Sequence, residues 1–62
     1  MSKATFEVFR DSAGEWRWRL VAANGNIIAD SGEGYQSKQG VERGIRSVKR
    51  SAPSADVEFS DE

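Results

Sequence analysis

Three stretches of this sequence carry side chains that could do chemistry. The first is Gly32-Glu33-Gly34-Tyr35, where a carboxylate and a phenol sit two residues apart on a glycine-rich segment. The chain has no histidine and no cysteine, so general acid–base work would fall to Asp, Glu, Lys or Tyr. Glu33 with Tyr35 is the one pairing of that kind. The segment precedes a helix start, as phosphate-binding loops do. It lacks the Gly-Lys-Ser/Thr of a P-loop and the third glycine of a dinucleotide-binding turn. Two glycines that let the chain turn from sheet to helix account for it, with Tyr35 at the edge of the core and its hydroxyl wet.

The second stretch is Trp16-Arg17-Trp18-Arg19. Aromatic rings on a strand can stack bases while arginines meet phosphates. Strict alternation argues against a joint role, because the two tryptophans and the two arginines fall on opposite faces of a strand. The third stretch is the basic set Lys38, Arg43, Arg46, Lys49 and Arg50, which could meet phosphates or an acidic partner, or simply face water. Residues 36–50 hold five bases and one acid, net +4, whereas residues 51–62 hold four acids and no base, net −4. Two segments of opposite sign can attract each other within a subunit or between two.

Length and composition narrow the function classes. At 62 residues, with nine bases against ten acids, the chain is one small domain, 1–62, with an ordered core over about residues 5–59 and frayed residues 1–4. It is neither a basic nucleic-acid binder in bulk nor an acidic tail. Without Cys or His, disulfides and the usual zinc sites are excluded. No catalytic, cofactor-binding or metal-ligating set emerges, so the reading is that of a non-enzyme without a cofactor. A unit this size leaves little volume for a substrate pocket. No apolar run approaches the roughly 18–20 residues that span a bilayer, and MSKATFEVF has no apolar signal core; the expectation is a cytoplasmic protein with no membrane partner.

The elements that must position these residues follow from periodicity. TFEVFR, residues 5–10, is rich in aromatic and β-branched residues, as strands are. Asp11-Ser12-Ala13-Gly14 reads as a turn. Residues 15–22 alternate, with Trp16, Trp18, Leu20 and Ala22 on one side and Arg17, Arg19 and Val21 on the other. Asn24-Gly25 predicts a two-residue type I′ hairpin into a third strand, residues 26–31. Counting from that turn pairs Ala22 with Ile27, Val21 with Ile28, Leu20 with Ala29, and Arg19 with Asp30 in an ion pair. In the first hairpin, a four-residue loop pairs Phe9 with Trp16, whereas a five-residue loop pairs Val8 with Trp18 and Glu7 with Arg19, and the second is favoured. That choice gathers Phe6, Val8, Trp16, Trp18 and Leu20 on one face.

Ser37 is the expected N-cap of a helix over residues 38–52. Val41, Ile45, Val48 and Ala52 form its apolar stripe, with Arg43, Arg46, Lys49 and Arg50 opposite. Gly40 and Gly44 each cost about 0.8–1 kcal/mol relative to Ala. Their place on the flank of the stripe implies close approach to the sheet or to a ring such as Trp16 or Trp18. Pro53 stops the helix, and residues 56–59 complete a β-β-β-α-β order, with Val57 and Phe59 on one face. A core this small rarely supplies more than about 3–5 kcal/mol. The last strand is short, acidic and on a linker, so it suits the sheet edge of a second subunit. A homodimer is therefore expected, with Val57 and Phe59 at its interface.

Gly14 to Leu20, Ala22 to Gly25, Ile27 to Ala29, Ser31 to Tyr35, Ser37-Lys38, Gly40, Gly44-Ile45 and Ser47 to Lys49 together resemble the YegP-like family of small domains of unknown function. The resemblance covers residues 5–52. It implies an α+β fold, a β(3)-α-β unit with an antiparallel sheet and one packed helix. Such units occur as tandem repeats or as homodimers with exchanged C-terminal strands. This chain has no internal repeat, so the homodimer is implied, although SADVEFSDE matches the family least. The family supplies no reaction. The functional expectation is a structural or protein-interaction module whose partner is itself or another protein. The alternative is a weak, sequence-tolerant nucleic-acid binder using Arg17, Arg19 and the basic helix face.

Overall fold

The computed structural model describes residues 3–60; the expected fraying of residues 1–2 and the acids at 61 and 62 lie outside them. Strands β1 (Thr5–Arg10), β2 (Trp16–Val21) and β3 (Ile27–Asp30) form an antiparallel meander in the order β1-β2-β3, and helix α1 spans Lys38–Ser51. The first hairpin takes the five-residue-loop register, with Arg10 opposite Trp16, Val8 opposite Trp18 and Glu7 opposite Arg19.

The loop chemistry explains that register. The Gly14 N–H donates to the Asp11 carbonyl at 3.0 Å, the Asp11 N–H donates to the Glu15 carbonyl at 2.9 Å, and Gly14 sits at φ +82°. This is a type I turn closed by a left-handed glycine; the Asp11–Glu15 bond inside the five-residue loop leaves Ser12 to Gly14 at its tip, with a bulge at the glycine. The second hairpin repeats the device and departs from the expected type I′ turn. Gly25 donates to Ala22 at 2.9 Å, Ala22 donates to Asn26 at 2.8 Å, and Gly25 has φ +92°. No non-glycine residue among those described has positive φ, whereas type I′ requires it at Asn24 as well. Val21 therefore faces Ile27 rather than Ile28. An irregularity between Leu20 and Val21 absorbs the extra residue, so Leu20–Ala29 and Arg19–Asp30 stand as counted.

Ser37 caps α1, its hydroxyl accepting the Gly40 N–H at 2.9 Å. The helix ends one residue earlier than expected, where Ala52–Ser54 tightens into a 3-10 turn around Pro53. Val41 is wholly buried against the sheet and Trp18 is 6% exposed. Phe6 meets Trp18 edge-to-face at 5.3 Å, while Trp16, Leu20, Ile45 and Val48 are half-buried around them. The buried Trp18 Nε1–H has no acceptor among the described residues, a cost of about 1–3 kcal/mol in a core with little to spare.

The fourth strand does not form within one chain. Residues 55–60 carry no strand assignment, and Val57 and Phe59 are 81% and 90% exposed. After the Ala55 N–H donates to Ala52, the segment makes no further backbone hydrogen bond among the described residues. A four-residue strand has no stability without a ladder partner, and neither open edge of this sheet is occupied by it. The single chain is thus β(3)-α with a tail that carries no regular structure.

Candidate interaction surfaces

Alternation along β2 divides the molecule into two sides. Trp16 and Trp18 face α1, whereas Arg17 and Arg19 point away from it on the outer face of the sheet. Both arginines are engaged there. Arg17 Nε donates to Asp11 Oδ2 at 2.6 Å, and Arg19 Nε donates to Glu7 Oε1 at 3.1 Å. The Arg19 guanidinium also lies 4.5 Å from the centre of the Phe9 ring, which half-buries that phenylalanine. Arg19 faces Asp30 in the ladder as expected, yet its ion pair is with Glu7 on the other neighbouring strand. Arg10, on the helix side, lies 4.9 Å from the Trp16 ring centre.

Asp11 does more than begin a turn. Its Oδ1 accepts the N–H groups of Ala13 and Glu15, each at 2.9 Å, while Oδ2 meets Arg17. The Arg17 side chain, helped by the Glu15 N–H, holds the Asp11 carboxyl below its ordinary value, and Asp11 in turn raises Arg17. The visible signal was an aspartate three residues before a turn glycine and six before an arginine of the outer face.

The Glu33–Tyr35 pairing does not assemble an acid–base site. Tyr35 and Trp16 exchange both backbone N–H···O=C bonds at 2.8 Å, which continues the β3 side of the sheet past Gly32 to Gly34. The Tyr35 ring then lies against the glycine flank of α1. A Cβ at Gly44 would stand 2.7 Å from Tyr35 Cζ, and one at Gly40 would stand 3.8 Å from the same side chain. The bulky ring that crowds the helix is Tyr35, at Gly44, not Trp16 or Trp18; at Gly40 the near neighbour is the capping Ser37 hydroxyl, 3.1 Å from an added Cβ. Glu33 is exposed, and its carbonyl accepts the Ser31 hydroxyl at 3.0 Å.

Lys38, Arg43, Arg46, Lys49 and Arg50 are all exposed on α1. The fold does not bring Arg17 and Arg19 together with this set, because sheet and helix separate them. Lys49 leans back toward the sheet, its Nζ 5.9 Å from the Phe6 ring centre. The remaining surface feature is apolar: Ile27 and Ile28 on β3 are 61% and 58% exposed, Val8 on β1 is 40% exposed, and Val57 and Phe59 are bare. Among the described residues no cavity opens, no three metal-ligating side chains converge, and no helix is long and apolar enough to cross a membrane.

These features define a small α+β domain whose distinctive parts are surfaces rather than a cleft. Residues 11–58 match the family described as a domain of unknown function, DUF1508, and the chain belongs to this family, the YegP-like group of UPF0339 proteins. It is 53% identical over 57 residues to a UPF0339 protein of Methanosarcina acetivorans, covering 92% of this chain and 93% of that one. The solution NMR structure of a Haloferax volcanii protein superimposes with a TM-score of 0.90 at 65% identity, over 97% of this chain and 100% of that one. The NMR structure of protein ATU0232 from Agrobacterium tumefaciens superimposes with a TM-score of 0.75 at 38% identity, over 92% and 90% of the two chains. The family's description names no reaction.

Proposed function

We propose that the protein is a non-enzymatic interaction module that works as a homodimer, each copy lending its C-terminal segment to a free sheet edge of the other. One observation carries this reading: Val57 and Phe59, two residues apart on a segment without secondary structure of its own, are 81% and 90% exposed beside a sheet with two open edges among the described residues. Alternate residues of a strand point to one face, so pairing at a sheet edge buries both together. Overall dimensions agree. The radius of gyration is 13.2 Å, against about 10.5 Å for a compact chain of this length. The chain exposes 5212 Å², where a folded monomer of its mass exposes about 4,000 Å². The excess, about 1,200 Å², is larger than the roughly 800 Å² that each partner of a standard interface buries.

Sedimentation equilibrium of the full chain tests the dimer. A mass of twice 6.9 kDa is expected at micromolar concentration, falling to the single-chain value when Val57 and Phe59 are both changed to Asp. A single-chain mass for the unaltered protein would overturn the proposal.

A further inference from the structure

We propose that the outward face of α1 is a binding site for the phosphate backbone of duplex nucleic acid, read without regard to sequence. Arg43, Arg46 and Arg50 lie at spacings i, i+3 and i+7. At 100° per residue these fall within an arc of about 60°, opposite Val41, Ile45 and Val48, and they rise about 10 Å along the axis. All three are exposed. Neither ion pair among the described residues involves a base of α1. Glu42, the acid of the helix, stands one turn before Arg46 without pairing to it. Ser47, exposed, borders the stripe and adds a neutral donor of the kind that contacts phosphates.

A favourable helix macrodipole explains the bases of the last turn, Lys49 and Arg50. It does not explain Arg43 and Arg46, which sit in the middle of the helix. The residue type matters as well, since a guanidinium fork matches two phosphate oxygens at once, which an ammonium does not. Two further observations select the partner. The stripe contains no apolar or aromatic side chain, whereas the arginine and aromatic anchors of protein interfaces sit in well-packed, desolvated pockets, which this open row does not offer. The aromatic rings of the described residues lie on the sheet, at Tyr35 or in the tail, so the stripe offers nothing for splayed bases to stack on. What remains is a rigid row of charge suited to a regular row of phosphates.

Fluorescence anisotropy of the full chain with a labelled short duplex, across a salt titration, tests this site. The expected result is binding at low salt that weakens with a log–log slope of about −3 per helix, three phosphates at about 0.9 each. Two duplexes of different sequence should bind alike, and the single strand more weakly. Arg43→Gln with Arg46→Gln should reduce affinity at least tenfold and flatten the slope by about 2, with an unchanged circular dichroism spectrum. No binding at low salt, or binding that survives the double substitution, would overturn the proposal. Displacement of the duplex by polyglutamate at equal charge would also overturn it, in favour of an acidic protein. Tighter binding of the single strand would overturn the duplex assignment.

Discussion

The ring of Tyr35 lies against the backbone of α1 at Gly44, leaving no room for a β-carbon: an added methyl would stand 2.7 Å from Cζ. Tyr35 is held there by a two-way backbone bridge to Trp16, and Trp16 is the first residue of the central strand. One contact therefore ties the loop before the helix, the helix and the sheet together.

The first prediction follows from that contact. In an open helix, Gly→Ala gains about 0.8–1 kcal/mol. At Gly44 the ring must move, and overpacking of this kind costs about 1–3 kcal/mol. Set against that gain, Gly44→Ala should lower stability by up to about 2 kcal/mol in urea unfolding. With Tyr35→Leu in place, the same change should become stabilising. Equal losses in both backgrounds would put the cost somewhere other than the ring.

The two hairpins share a glycine device with a measurable cost. Gly14 and Gly25 sit at φ +82° and +92° with open space where a β-carbon would go. A substitution there meets only backbone strain, about 1–2 kcal/mol for an L-residue in the left-handed region. Gly25→Ala should lower the urea midpoint accordingly. Gly25→Asn should lose less, because asparagine tolerates that region. Identical losses for the two would contradict the turn geometry.

Asp11 makes stability depend on acid in a defined direction. Its carboxyl titrates below the ordinary value of 3.8 in the folded protein, chiefly because of Arg17, and at the ordinary value when unfolded. The charged form thus favours the fold above about pH 4, and that contribution is lost as the pH falls below this through the depressed folded value. Melting temperatures of the native chain and Asp11→Asn should differ by a constant amount from neutral pH down to about 5 and converge below about 4. A gap that persists into strong acid would show that Asp11 acts through shape alone.

Removing the tail should affect more than the tail. A chain ending at Ala52 loses the apolar pair Val57 and Phe59, which covers nothing in its own subunit. If those residues served one copy alone, the truncated chain would melt with the full-length one. The account instead expects a monomeric, less stable protein whose melting temperature, unlike that of the full chain, no longer rises with concentration.

Much of this arrangement was legible in the residues. The alternation EWRWRL marks which face of β2 is buried, but it leaves the register of β1 open between a four- and a five-residue loop, because a one-residue slip exchanges Phe6 and Val8 for Glu7 and Phe9 on the tryptophan face. Ile27 and Ile28 carry no such alternation, so the second hairpin could not be counted past Leu20, and Asn24-Gly25 pointed to the wrong turn. Gly40 and Gly44 announced a close approach. The ring itself lay in a segment that reads as a loop, and only the bridge to Trp16 swings it under the helix. The spacing of Val57 and Phe59 reads as a last strand that the single chain does not form, because a strand needs an edge to pair with and neither edge of this sheet holds the segment.

The central claim is that the C-terminal segment of one copy completes the sheet of another. Isotope-filtered NMR on a mixture of labelled and unlabelled chains tests it most directly, because it records contacts that cross between copies. The account predicts cross-copy contacts from the Val57 and Phe59 side chains to a sheet edge, at Val8 on β1 or at Ile27 and Ile28 on β3. Contacts of Val57 and Phe59 confined to their own chain, or none at all, would contradict it.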